Sequence, residues 1–130
     1  MSSFLNLTPT VRVALKNPFS GERYPATESV LAVIDTGYEG FMAAPTDVFN
    51  KLGFNELQQE RRTLVLANGT VLKANGVYGG VEMPHLASEM NGFIETYEGL
   101  DEIILGVDVL SRFKSTLDYC TQRITIEQCL

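Results

Sequence analysis

The sequence predicts a mainly β protein, a barrel or sandwich of short strands with one or two short helices. Three observations carry this expectation. Short runs alternate apolar and polar residues with period two, Gly, Pro and Asn punctuate the gaps between them, and two segments have the signals of a brief helix. With 130 residues, 45% of them apolar and 20% charged, the chain suits one domain spanning residues 1–130. A second lobe of equal size does not fit.

Residues 10–16 (Thr-Val-Arg-Val-Ala-Leu-Lys) alternate as a half-buried strand does, and residues 17–22 hold the Asn, Pro and Gly of a turn. Val30–Ile34 is a continuous apolar run, the pattern of a strand buried on both faces. Residues 63–67 and 70–73 flank Asn68-Gly69, a strong local hairpin signal, so a projecting hairpin is expected there. A further strand pair runs through residues 77–83 and 90–95. Residues 45–53 open on Pro and close on Gly, the asymmetry of a short helix. Residues 108–113 are a second candidate helix, with Asp108 in its first turn. Residues 115–119 and 123–127 close the chain as two strands around a polar turn.

Charge and composition exclude several classes of function. Sixteen acidic residues against ten basic give −6, and the basic residues are scattered, with Arg61-Arg62 the only adjacent pair. Binding to nucleic acid or to an anionic membrane, which depends on clustered Lys and Arg, is not expected. The longest apolar runs are far short of the ~20 residues that cross a bilayer. Residues 1–5 lack the basic start and apolar stretch of a signal peptide, so a cytoplasmic protein is expected. Cys120 and Cys129 would lie ~30 Å apart in one extended strand, too far to pair, and neither has a partner at metal-ligand spacing. Reduced thiols, no metal and no cofactor are the expectation. The single histidine, His85, has no orienting partner nearby in sequence and reads as a surface residue, which removes Ser-His-Asp and Cys-His chemistry. No glycine-rich phosphate loop is present.

What remains is Val33-Ile34-Asp35-Thr36-Gly37, where an acid follows directly on an apolar strand. A carboxylate placed there must be hydrogen-bonded or protonated, and either condition makes its chemistry tunable. Thr36 offers a hydroxyl, and Gly37 permits a tight turn that brings backbone N–H groups to the carboxylate. The word Asp-Thr-Gly alone arises by chance in roughly 2–3% of chains this long, so its context has to carry the weight.

That context resembles the retropepsin-like aspartic proteases, the single-lobe group that includes retroviral proteases and the protease domain of the DNA-damage-inducible ubiquitin-shuttle proteins. Residues 31–37 look like the catalytic strand and loop of that family. The hairpin at Asn68-Gly69, about thirty residues on, lies where the family places its flap. Residues 103–110 look like the late segment of two apolar residues and a Gly that leads into a short helix. The resemblance spans residues 10–127 and implies a single-lobe acid-protease closed barrel. Three positions depart from the family pattern. Tyr38 stands where Ala or Ser is common, which should narrow the site or reshape its floor. Val107 stands where retroviral members carry an Arg that supports the active loop, so that support should be absent. The segment Ala67, Asn68, Gly69 and Thr70 is poorer in glycine than many flaps.

Aspartic peptidase chemistry needs two carboxylates close enough to share a proton, and this chain has one Asp-Thr-Gly. The resemblance therefore implies a homodimer in which Asp35 of each copy meets on a two-fold axis. It also implies that Thr36 and Gly37 complete the active loop, that Ala67 through Thr70 close over an extended peptide or protein substrate, and that Gly106 and Asp108 support the loop from behind. Glu39, Asp47, Asp101, Glu102 and Asp118 read as solvated or capping acids. Two other readings stay open: a non-catalytic dimeric peptide-binding or assembly module on the same fold, and a monomeric β domain whose Asp35 is only a turn acid.

Overall fold

The computed structural model describes residues 2–129. In chain order these form β1 (Ser2–Leu5), β2 (Thr8–Lys16), β3 (Arg23–Tyr24), β4 (Val30–Ile34), β5 (Met42–Ala43), α1 (Thr46–Lys51), β6 (Glu60–Val65), β7 (Val71–Met83), β8 (Ser88–Tyr97), β9 (Ile104–Leu105), α2 (Val107–Leu110), β10 (Phe113–Asp118) and β11 (Arg123–Gln128). Nine of the strands make one sheet in the order β1-β2-β4-β9-β5-β8-β7-β6, with β3 beside β2. Strand β2 pairs with four others, β1, β3, β4 and β7, and the last two of these close the sheet. Its residues Thr10 to Val13 pair with β4, and Ala14 to Lys16 pair with Gly80 to Glu82 of β7. The second pairing returns the sheet to its start, so β2, β4, β9, β5, β8 and β7 form a closed ring, the mainly β barrel that the sequence predicts. Closure gives each strand of the ring a partner on both sides, although the two-residue strands β5 and β9 cover only part of their longer neighbours.

The core is built from Leu15, Met42, Phe49, Leu52, Phe54, Met83, Ile94 and Leu105, all fully buried. Each contributes roughly 1.5–3 kcal/mol by leaving water. Phe49 of α1 and Phe54 just beyond it meet edge to face, ring centroids 5.3 Å apart, and fix that corner against the barrel.

Several expectations need correction. Strand β4 is buried on one face only: Ala32 and Ile34 point inward, while Leu31 and Val33 are half-buried and line a surface cavity of about 540 Å³ with Leu100 and Ile103. Helix α2 starts one residue before Asp108 and stops at Leu110, because Phe113 is buried and already paired with Gln128 in the β10–β11 hairpin. The two-residue strands β3, β5 and β9 are too short to show a periodicity. The polar turn between β10 and β11 is closed by Asp118, which accepts the backbone N–H groups of Cys120 and Thr121 and the Thr121 hydroxyl at 3.0, 3.1 and 2.7 Å. Cys120 in that turn and Cys129 after β11 are exposed and free. No helix among the described residues is long and apolar enough to cross a membrane.

Candidate functional site

The loop after β4 is held from behind by the late apolar segment. Val33 and Ile34 run parallel to Ile104 and Leu105 of β9, and the Asp35 N–H continues that ladder to the Leu105 carbonyl at 3.0 Å. The chain then turns tightly. Gly37 N–H donates to Asp35 Oδ1 at 2.8 Å and Tyr38 N–H donates to the Asp35 carbonyl at 3.2 Å. Beyond the turn, residues 38–41 zip onto residues 106–108: Val107 N–H reaches the Tyr38 carbonyl, Asp108 N–H the Gly40 carbonyl and Gly106 N–H the Phe41 carbonyl, at 2.9, 3.1 and 2.9 Å. Gly106 is needed for this approach. A Cβ there would collide with the Gly40 carbonyl oxygen and lie 2.7 Å from Tyr38 Cδ2. Asp108 thus supports the loop through its backbone N–H, while its side chain is exposed. Thr36 is exposed as well, and its hydroxyl has no hydrogen-bond partner among the described residues.

Strands β6 and β7 form the projecting hairpin. Their ladder runs from Glu60 opposite Gly76 to Val65 opposite Val71. The tip is a loop of Ala67, Asn68 and Gly69, closed by Leu66 N–H to the Thr70 carbonyl at 2.8 Å and Gly69 N–H to the Leu66 carbonyl at 2.9 Å. Gly69 alone takes a positive φ, 85°, while Asn68 turns its Oδ1 to the Thr70 N–H at 2.9 Å. This division of labour gives a three-residue loop with a glycine bulge instead of a two-residue turn. Val65 and Val71 are exposed near the tip. A cavity of about 530 Å³ lies between the hairpin and the loop, bordered by Asp35, Gly37 and Tyr38 on one side, Arg62 to Ala67 on the other, and Tyr97 and Ile104. Burial raises the Tyr97 hydroxyl above the ordinary tyrosine value, and the charge of Asp35 adds to this. Of the residues singled out from sequence, Asp35, Gly37, Tyr38, Glu39 and Ala67 border this space. Asn68, Gly69 and Thr70 form the exposed end of the hairpin above it, and His85 is not part of its wall.

Beside this loop lies a side-chain trio, of which the sequence had flagged only Tyr38 as part of the site. The Tyr38 ring lies against Gly40 and Gly106, and its hydroxyl donates to Glu95 Oε1 at 2.5 Å. Glu95, on β8 and 5% exposed, also receives Arg62 of β6 in a two-point pair, Nε to Oε2 at 2.9 Å and Nη2 to Oε1 at 2.6 Å. Burial pushes the Glu95 carboxyl up, but the hydrogen bonds from Arg62 and Tyr38 outweigh it and hold it below the ordinary value. Burial, reinforced by Glu95, pushes the Tyr38 hydroxyl far above its ordinary range. At neutral pH the trio is therefore a carboxylate, a guanidinium and a neutral phenol. Arg62 of the hairpin and Tyr38 of the loop thus meet on the same Glu95 carboxylate. Glu95 directly after the apolar pair Phe93-Ile94 and the lone Arg61-Arg62 pair were the available signals. No group of three metal-ligating side chains is found among the described residues.

Comparison with known proteins gives the same architecture. The chain is 44% identical over 126 residues to an uncharacterized protein of Archaeoglobus fulgidus, covering 97% of this chain and 98% of that one. No family model matches. Among solved structures, a retropepsin-like aspartic protease from Rickettsia conorii superposes with a TM-score of 0.63 at 21% identity, over 95% of this chain and 92% of that one. The EIAV protease in complex with the inhibitor HBY-793 gives 0.58 at 14% identity, over 85% and 92%. The retroviral protease-like domain of Ddi1 from Leishmania major gives 0.50 at 13% identity, over 93% and 94%. The chain thus belongs to one family with the Archaeoglobus protein, and its fold is that of the retropepsin-like aspartic proteases.

Proposed function

We propose that the chain is an aspartic endopeptidase that works as a homodimer, with Asp35 and Asp35 of a second copy sharing one active site. One observation carries the reading: the Asp35 side chain borders a cavity of about 530 Å³ whose opposite wall is the β6 strand of the flap hairpin. A single exposed Asp-Thr-Gly loop supplies half of the required pair, and the other half comes from a second copy. Two carboxylates at hydrogen-bonding distance hold one proton between them. The charged one takes a proton from water, which attacks the scissile carbonyl. The protonated one donates to the carbonyl oxygen, and collapse of the tetrahedral intermediate passes a proton to the leaving amine. In this reading the exposed Thr36 hydroxyl bonds to its counterpart across the two-fold axis. An extended peptide or protein segment lies under the flap, paired through its backbone, with alternate side chains against Val65, Leu66 and Tyr97.

Asp35→Asn keeps the shape and the Gly37 N–H acceptor but removes the base. Cleavage of a broad peptide library should fall by on the order of 10³-fold or more, with the circular dichroism spectrum and sedimentation coefficient unchanged. Retention of full cleavage would contradict the proposal. Peptide binding without cleavage by the unaltered chain would instead favour a non-catalytic binding or assembly module.

A further inference from the structure

We propose that Arg62, Glu95 and Tyr38 form a latch that couples the position of the flap to the geometry of the Asp35 loop, an inference that rests on the peptidase reading only in treating the cavity beside Asp35 as a substrate cleft. Topology gives the reason that a latch is needed. Strand β6 is the end strand of the sheet and pairs with β7 alone, so no backbone ladder joins it to the loop after β4. Side chains make the connection. Arg62 pairs with Ala74 in the ladder and reaches past β7 to Glu95, and Gly76, opposite Glu95, leaves the space: a Cβ there would sit 3.2 Å from Glu95 Cγ. From the other direction comes Tyr38. Its backbone N–H closes the turn on the Asp35 carbonyl and its carbonyl accepts Val107 N–H, so a shift carried by its hydroxyl is a shift of the turn that holds Asp35.

The two arms depend on each other because they share one buried charge. Glu95 takes three donors, Arg62 Nε on Oε2 and both Arg62 Nη2 and Tyr38 Oη on Oε1. When the flap lifts and Arg62 goes with it, the carboxylate keeps only the phenol, and a desolvated charge with one donor is costly. Arg62 is the arm able to leave, since its side chain is 44% exposed against 7% for Glu95. Arg62 also borders both the Asp35 cavity and a neighbouring cavity of about 350 Å³ that contains Phe41 and Asp108. A peptide that presses Arg62 onto Glu95 thereby favours the ordered loop and the closed flap together.

Amide hydrogen exchange, followed by NMR on the purified protein, tests the latch. Tyr38→Phe keeps the ring against Gly40 and Gly106 and removes only the hydroxyl. Exchange at the Leu66 and Gly69 amides of the flap should rise by roughly ten- to a hundredfold, the weight of one hydrogen bond to a charged group, although the substitution lies on a different element. Arg62→Met should do the same to the Gly37 and Tyr38 amides. The double variant should exchange no faster than the faster single variant, because both act through Glu95. Unchanged flap exchange in Tyr38→Phe, or additive effects in the double variant, would overturn the latch. The measurement needs no turnover, so it reads out even if the chain cleaves nothing. Failure of the peptidase reading would appear separately, as absence of Asp35-dependent cleavage.

Discussion

Two carboxylates in this chain have been given opposite surroundings, and their contrast explains what each can do. Asp35 is half-buried, takes one internal N–H bond from Gly37 at 2.8 Å and borders open space. Glu95 is buried and saturated by Arg62 and Tyr38. The first faces a cavity with one internal donor, and the second is held by three. Because the folded state holds Glu95 below its ordinary value, its stabilising contribution is fully present above the unfolded carboxyl value of about 4.3 and is lost as pH falls through the lower folded value. Glu95→Gln should therefore reduce stability by about 2 kcal/mol at pH 7, less than for a fully buried pair because Arg62 is partly exposed. Urea denaturation at several pH values should show that gap shrinking below about pH 4. A gap independent of pH would contradict the assignment. Asp35 was legible in the sequence because its signal is local, an acid, a hydroxyl and a glycine at the end of an apolar run. The trio was not, because its members lie 33 and 57 residues apart and meet only through the order of strands in the sheet.

At the scale of elements, the site depends on one segment strapping another. Residues 106–108 hold residues 38–41 by three backbone hydrogen bonds, and this zipper needs a residue without a side chain at Gly106. Gly106→Ala would drive a Cβ into the Gly40 carbonyl, a backbone atom fixed by its bond to Asp108 N–H. A loss of about 3 kcal/mol is expected in chemical denaturation, from overpacking that cannot relax by a rotamer change. A loss below about 0.5 kcal/mol would show that the zipper yields more easily than its geometry implies. The longer elements were readable where a period or a turn signal exists, as in β2, the β6–β7 hairpin and the β7–β8 pair. The exposed face of β4 was not readable, because an uninterrupted apolar run looks the same whether its second face meets protein or a surface cavity.

At the scale of the molecule, ring closure gives Asp35 a rigid support, and one Asp-Thr-Gly loop in the 130 residues leaves the proposed active site half complete. The charge of −6 per chain doubles to −12 in a dimer, so association has to overcome a repulsion that salt screens over about 8–10 Å. The measurement that bears most directly on the shared site is subunit mixing at near-physiological salt, with unaltered and Asp35→Asn chains combined at constant total concentration and allowed to exchange partners. If two Asp35 residues make one site, peptide cleavage should follow the square of the unaltered fraction and fall to roughly a quarter at equal amounts, because only matched pairs are competent. A linear fall, to roughly half at equal amounts, would mean that each chain carries a complete site, and would contradict the account.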